Sequence, residues 1–245
     1  KKDVVKYMED QSHGCVDFEV TQMSEAEPVQ NAIKNLLSMV ETIKNNLELN
    51  EEDMIMHLTG ATNFRNDIAT IKPYKANRKD ALKPKHAGLL KDYIKKTWTT
   101  IVSDNEEADD TLGYSHYASY DKGDPSIIVT IDKDLDMIPG LHYNTRSKET
   151  YEVTEEQASR AFYEQLLMGD TVDNIQGVKG VGKKRAQTAL EDAESVKEME
   201  EICATMYEKC YGDDWKDALL ENGRLLWIRR EPNQMWSPQH TLKGE

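Results

Sequence analysis

Three short apolar runs separated by helix-period segments constrain this fold more than anything else in the chain. Residues 53–60 read as a short buried strand ending in a loop, Trp98 to Val102 as a second, and Ser126 to Ile131 as a third. Before the first, from Ser24 to Leu47, the residues Ile33, Leu36, Leu37, Val40, Ile43 and Leu47 repeat at helical spacing. Between the strands, Lys72 to Lys96 begins as a basic segment and turns helical from about Lys85, and Glu106 to Tyr120 reads as a helix. This alternation implies α/β architecture around a mostly parallel central sheet with helices on both faces. Such sheets place their sites at the carboxyl ends of the strands, where Asp104 to Asp110 and Asp132 to Asp136 fall. After about Tyr151 the strand signals fade. Thr154 caps a helix running toward Met168, with Glu155, Glu156 and Gln157 in its first turn. The expected division is an α/β domain over 1–153 and a helical region over 154–245.

The 245 residues are 38% hydrophobic and 31% charged, enough to build a core, and no apolar run reaches membrane-spanning length. Cys15, Cys203 and Cys210 include no CxxC pair, which argues against a disulfide framework or a zinc site and fits a reducing cytoplasm. His13, His57, His86, His116, His142 and His240 show no ligand spacing. A net charge of -14 argues, taken alone, against nucleic-acid binding. The distribution of that charge weakens the objection. Positive charge gathers at Lys72 to Lys96 and Lys179 to Arg185, while much of the acid lies in clusters that divalent cations would offset. Glu191 to Glu201 reads as a solvated helix face.

Gly169 to Arg185 holds two carboxylates, Asp170 and Asp173, then a glycine-rich turn and a basic helix start. Glycines let a main chain approach a phosphate closely, helix N-terminal amides favour an anion, and Lys183, Lys184 and Arg185 add positive charge. Taken alone, a solvated loop before an ordinary helix would look the same. Two acidic groups precede it: Glu107-Ala108-Asp109-Asp110 and Asp132-Lys133-Asp134. Magnesium and manganese want oxygen ligands, and two metals about 3.5–4 Å apart can stabilise both the attacking and the leaving oxygen of a phosphodiester displacement. Carboxylates converging without such cations would raise one another's pKa. Plainer readings exist for each group: a helix N-terminal charge bias for Glu107 to Asp110, a loop residue for Asp136, a simple turn for Asp173-Asn174. Asp132, Asp134 and Asp136 mimic the start of a calcium-binding EF-hand loop, but Met137 holds the glycine position and Tyr143 the twelfth. The order of the three clusters, the last joined to a phosphate-binding turn, favours metal-dependent phosphodiester chemistry.

With these residues in hand, the chain resembles the 5′-nuclease superfamily of flap endonucleases, 5′→3′ exonucleases and the nuclease domains of bacterial DNA polymerases, and above all its small bacteriophage members. Tyr74-Lys75-Ala76-Asn77-Arg78, Glu107-Ala108-Asp109-Asp110, Thr130-Ile131-Asp132-Lys133-Asp134 and the Gly169 to Gly182 run carry the resemblance, in the family's order, over roughly residues 60 to 190. The ending Arg224 to Arg230, with Trp236 and Pro238, is similar to the tail of phage exonucleases. The resemblance implies a PIN-like or resolvase-like sheet and a 5′→3′ exonuclease with flap endonuclease activity that leaves 5′-phosphates in phage DNA replication or primer removal. It implies two Mg2+ or Mn2+ ions. Glu107, Asp109 and Asp110 would serve the first metal, Asp132 and Asp134 would reach it directly or through water, and Asp170 and Asp173 would serve the second. Lys75 and Arg78 would lie on a mobile basic arch near residues 64–96 and support the developing charge on the scissile phosphate. Residues 169–190 would form a helix-hairpin-helix-like motif. There the carbonyls of Val178 and Val181 would hold K+, and Gly177, Gly180, Gly182, Lys183 and Lys184 the DNA backbone, with structure rather than sequence selectivity.

The implied partners are DNA with a 5′ end, flap, nick or gap and RNA–DNA hybrids. No membrane is implied, and the chain would act as a monomer in the cytoplasm of a host cell. Three departures accompany these expectations. The family's first strand ends in an aspartate that has no counterpart here. Asp17 lies too close to Gly60, so that strand is expected upstream of Lys1. Gly60 stands where many relatives carry aspartate, and Gln176 where proline is usual. The missing acid motivates an alternative, structure-specific DNA binding without cleavage. A PIN-class RNase is a third reading, opposed by the hairpin turn.

Overall fold

The computed structural model describes residues 28–78, 84–120, 122–124 and 126–240, and the backbone of 4–9 and 16–21. In chain order the elements are β1 (Val4–Glu9), β2 (Val16–Thr21), α1 (Val29–Leu47), β3 (Met56–Leu58), α2 (Arg65–Ile68), α3 (Ala87–Thr97), β4 (Thr100–Val102), α4 (Ala108–Tyr120), β5 (Ile127–Thr130), β6 (Gly140–Asn144), β7 (Glu149–Val153), α5 (Glu155–Met168), β8 (Gly169–Asp170), β9 (Ile175–Gln176), α6 (Lys183–Leu190), α7 (Val196–Tyr211) and α8 (Trp215–Leu226). They form two compact units, Lys1–Met56 with Leu82–Thr99, and His57–Ala81 with Thr100–Glu245. Residue 153 is not a boundary between these units.

The first unit contains the antiparallel β1–β2 hairpin and the packed pair α1 and α3. The helix expected from Ser24 begins at Val29, and residues 24–27 lie outside the described residues. Val40, on the apolar face foreseen from the periodicity, is buried.

The second unit is organised around α5. Thr154 Oγ1 accepts from the Gln157 N–H while Gln157 Oε1 accepts from the Thr154 N–H, so two donors left over at the helix start are satisfied reciprocally. Ala158, Phe162 and Leu166 recur every four residues, with Tyr163 and Leu167 beside them, and all are buried. This face meets Met199, Cys203 and Tyr207 of α7, Leu219 of α8 and Leu190 of α6. The Phe162 ring lies 5.0 Å from Trp227 and 5.4 Å from Trp236, edge-on or tilted, the arrangement aromatic quadrupoles favour. The segment after α8 is thereby pinned to the centre of the unit.

The α/β class holds, but among the described residues the strands do not join into the single, mostly parallel sheet expected. β3 pairs with β4, each three residues long. Separately, β5 runs parallel to β6, and β6 antiparallel to β7. The β6–β7 hairpin falls where strand signals had faded. Its turn is fixed locally, because Asn144 Oδ1 accepts from the N–H groups of Arg146 and Ser147 while Lys148 takes a φ of 62°. His142 and Tyr143 are fully buried in β6, so its sequence lacks the alternation that marks a half-exposed strand. Beneath β5, Ile128, Leu135, Ile138 and Ile228 make a second small core.

Candidate active site

Three loops of the second unit bring carboxylates together. Glu107 precedes α4 and Asp109 lies in its first turn. Asp132 follows β5; its N–H donates to Thr130 Oγ1, and its Oδ1 accepts from the Asp134 N–H at 3.1 Å, so the chain curls as soon as the strand ends. Asp170 and Asp173 sit on the tight β8–β9 turn, where Asp170 Oδ1 accepts from the N–H groups of Val172 and Asp173. Glu107, Asp109, Asp132, Asp134, Asp170 and Asp173 line one cavity of about 930 Å³, with Lys75, Arg78, Gly182 and Lys183 also on its wall.

Two of these carboxyls are shifted upward. Burial, then the charges of Glu107, Asp132 and Asp110, push the Asp109 carboxyl up to about 7. Burial, with Asp132 and Asp170 beside it, raises Asp134 to about 6, although Gln165 Nε2 donates to its Oδ1. Asp136 also lines the cavity and accepts from the Tyr151 hydroxyl.

Segment 73–78 docks on the 170–174 turn. The Lys75 N–H donates to the Asp173 carbonyl, Asn77 Nδ2 to the Thr171 carbonyl, Arg78 Nε to the Val172 carbonyl and Asn174 Nδ2 to the Pro73 carbonyl. The Lys75 ammonium bonds Glu107 and lies 3.4 Å from Asp173, and Arg78 Nη2 is 2.6 Å from Asp173. Tyr74, which sequence reasoning left between base stacking and arch packing, is buried, with its hydroxyl 3.1 Å from Glu107 and 2.9 Å from Asp173. Burial and these two carboxylates push its phenol well above the usual range. Among the described residues no three carboxylate, imidazole or thiol groups close tightly enough on one point to ligate an ion as they stand. The Lys75 ammonium is the cation between Glu107 and Asp173.

Two expected site residues are placed elsewhere. Asp110, assigned with the metal ligands, is fully buried and is not on the cavity wall. Its Oδ2 accepts from Arg65 Nη1 at 2.6 Å and the Glu107 N–H at 3.0 Å; its Oδ1 accepts from Arg65 Nη2 at 2.9 Å and the Arg229 N–H at 3.1 Å. Burial works against its charge, but the guanidinium and the two amides outweigh it and hold the carboxyl below its ordinary range. Gly177, assigned to the DNA backbone, is buried. A Cβ there would stand 2.3 Å from Gly169 N and one on Gly169 2.2 Å from Gly177 N, so these glycines admit each other rather than a phosphate. Gly180, at φ +78°, Gly182, Lys183 and Lys184 are exposed, and the side chains of Val178 and Val181 are buried.

Sequence reasoning also missed the polar layer beneath the cavity. Arg65 Nε and Nη2 donate to the carbonyls of Leu225 and Trp227, Arg229 pairs with buried Glu106 at 3.0 Å, and the Phe64 ring lies 4.7 Å from the Arg65 guanidinium and 3.8 Å from that of Arg229. The available signal was an arginine directly at the end of an apolar stretch, Leu225-Leu226-Trp227-Ile228-Arg229, since a buried cation demands a partner.

No protein-family model matches the chain. It is 31% identical over 186 residues to a 5′-3′ exonuclease of Buchnera aphidicola subsp. Schizaphis graminum, covering 71% of this chain and 64% of that one. This likeness is to a 5′-3′ exonuclease, in keeping with the resemblance to the 5′-nuclease superfamily carried by the motifs. It is 29% identical over 186 residues to a 5′-3′ exonuclease of Bacillus subtilis, covering 69% of this chain and 60% of that one. The chain thus spans slightly less than two thirds of the length of these curated relatives. In fold it is similar to the bacteriophage T5 flap endonuclease solved with DNA and metal ions, with a TM-score of 0.61 at 18% identity over 79% of each chain. Among the described residues no helix is long and apolar enough to cross a membrane.

Proposed function

We propose that the chain is a divalent-metal-dependent 5′→3′ exonuclease with flap endonuclease activity, hydrolysing DNA phosphodiesters to leave 5′-phosphates. One observation carries the reading: Glu107, Asp109, Asp132, Asp134, Asp170 and Asp173, from three separate segments, line a single cavity that also holds Lys75 and Arg78. The donors are all hard oxygens, and the Asp109 and Asp134 carboxyls are raised by burial first and by neighbouring carboxylates second, so a nearby divalent cation would favour their charged forms. Both features suit Mg2+ or Mn2+. Glu107, Asp109, Asp132 and Asp134 would hold one ion and Asp170 and Asp173 a second. Bound there, the ions would supply Lewis acidity and counter-charge for phosphodiester hydrolysis.

The chain's own groups do the rest. Lys75 and Arg78, now against Glu107 and Asp173, are placed to turn their charge to the scissile phosphate and support it as negative charge develops. Exposed Gly180 and Gly182, with Lys183 and Lys184 at the start of α6, would hold the DNA backbone, and the Val178 and Val181 carbonyls would hold K+. The substrates are DNA with a 5′ end, flap, nick or gap, and RNA–DNA hybrids, handled by a monomer during phage replication or primer removal in the host cytoplasm.

A second reading, structure-specific DNA binding without cleavage, has one observation in its favour. A Cβ on Gly60 would stand 2.1 Å from the Ser103 carbonyl oxygen, so this position admits no carboxylate in the present backbone. The deciding experiment uses a 5′-flap DNA labelled at each end in turn, with Mg2+, Mn2+ or EDTA. The nuclease reading expects metal-dependent cleavage near the junction that Asp132→Ala and Asp173→Ala each abolish. Full activity in those variants would refute it, and tight flap binding without turnover would favour the second reading.

A further inference from the structure

We infer that Asp110 is a positioning residue rather than a metal ligand: paired with Arg65, it fixes the metal-binding Glu107 to the segment that follows α8. The inference rests on the nuclease reading and deepens it. A carboxylate offers about four lone-pair sites, and Asp110 fills all four with two guanidinium and two backbone N–H donors. None remains for a cation. One of those amides belongs to Glu107, whose side chain reaches the cavity, and the other to Arg229. Arg65 gives two further donors to the Leu225 and Trp227 carbonyls. Arg65 is 3% and Asp110 0% exposed, so neither has solvent to fall back on. Breaking such a pair from one side leaves an uncompensated buried charge. The close fit continues along the same segment: a Cβ on Gly113 of α4 would stand 2.4 Å from the Arg229 carbonyl. Glu107 is therefore held through a rigid polar joint whose centre is Asp110, and the chain beyond α8 is part of the site's frame.

The test compares Asp110→Asn, Arg65→Gln and the double variant with Glu107→Gln and Asp109→Asn in the full chain. Mn2+ binding is followed by the paramagnetic resonance of the free ion, with thermal melting alongside and flap cleavage as a third readout. In Asp110→Asn the new amide faces the guanidinium donor to donor. In the double variant it meets the carboxamide oxygen that Arg65→Gln introduces, its own oxygen still accepts a backbone N–H, and no charge is buried. Each single change at 65 or 110 is expected to lower the melting temperature and weaken Mn2+ binding about tenfold, and the neutral pair to restore binding to within about threefold of the parent. Glu107→Gln and Asp109→Asn weaken binding without such rescue. A double variant that binds Mn2+ as poorly as Asp110→Asn, or that fails to fold, overturns the inference while leaving an active parent as a nuclease. A parent that neither binds Mn2+ nor cleaves overturns the nuclease reading and the inference with it.

Discussion

Asp109→Asn should stabilise the metal-free protein at alkaline pH and lose that advantage as pH falls. The Asp109 carboxyl titrates near 7 in the fold against 3.8 in an unfolded chain, because burial and then Glu107, Asp132 and Asp110 oppose its charge. Between those values the native state binds more protons than the unfolded state, so stability declines as pH rises. Integrated over the window, the cost is on the order of 4 kcal/mol at pH 8, about 1.5 kcal/mol at pH 5 and about half a kcal/mol at pH 4. Asparagine fills the same space and never ionises. Urea unfolding in EDTA, followed by tryptophan fluorescence, reads the difference directly, since Trp215, Trp227 and Trp236 lie in the same unit as the site. The variant should gain over the parent by about 2 to 3 kcal/mol between pH 5 and pH 8. Saturating Mg2+ at pH 8 should reverse the order by stabilising the parent alone. A gap that does not change with pH, or a variant less stable at pH 8 than at pH 5 relative to the parent, would refute the reasoning.

Three other outcomes are expected. Phe162→Ala empties the junction of α5 with Trp227 and Trp236 and should cost about 3–5 kcal/mol in urea unfolding. Gly113→Ala drives a methyl into the Arg229 carbonyl and should cost about 1–3 kcal/mol, seen as a lower melting temperature. Thr154→Ala removes one half of the cap on α5 and should cost about 1 kcal/mol, a smaller shift in the same melt.

The helices and the acidic loops were legible because their signals are local. The cap on α5 needs only Thr154 and Gln157, and the carboxylates of the β5 and β8 loops need only a strand end or turn to gather them. What escaped depends on distant partners. β6 carries no alternation because both of its faces are covered at His142 and Tyr143. Asp110 stands next to Asp109 in a pattern that treats them alike, yet successive helical residues face different directions, and only the chain 119 residues onward supplies the Arg229 amide that claims it. Gly177 looked like a phosphate loop because a glycine needed for backbone–backbone packing and one needed for an anion are the same residue. The difference lies in Gly169 opposite it.

These contacts separate two kinds of counter-charge. Below the cavity, Arg65–Asp110 and Arg229–Glu106 are buried, and breaking such pairs from one side costs several kcal/mol. At the cavity, Lys75 is 26% and Arg78 45% exposed, and ion pairs with that much solvent are worth about 1 kcal/mol or less. The lower layer therefore holds geometry, while the upper layer can exchange partners at little cost. Under the proposed function, Glu107 and Asp173 would each hold a divalent cation, which would supply counter-charge there, and Lys75 and Arg78 would be free to pair with a phosphate. Docking of segment 73–78 on the 170–174 turn would keep the Lys75 and Arg78 side chains beside such a phosphate, because backbone and side-chain hydrogen bonds hold the segment there independently of the ion pairs.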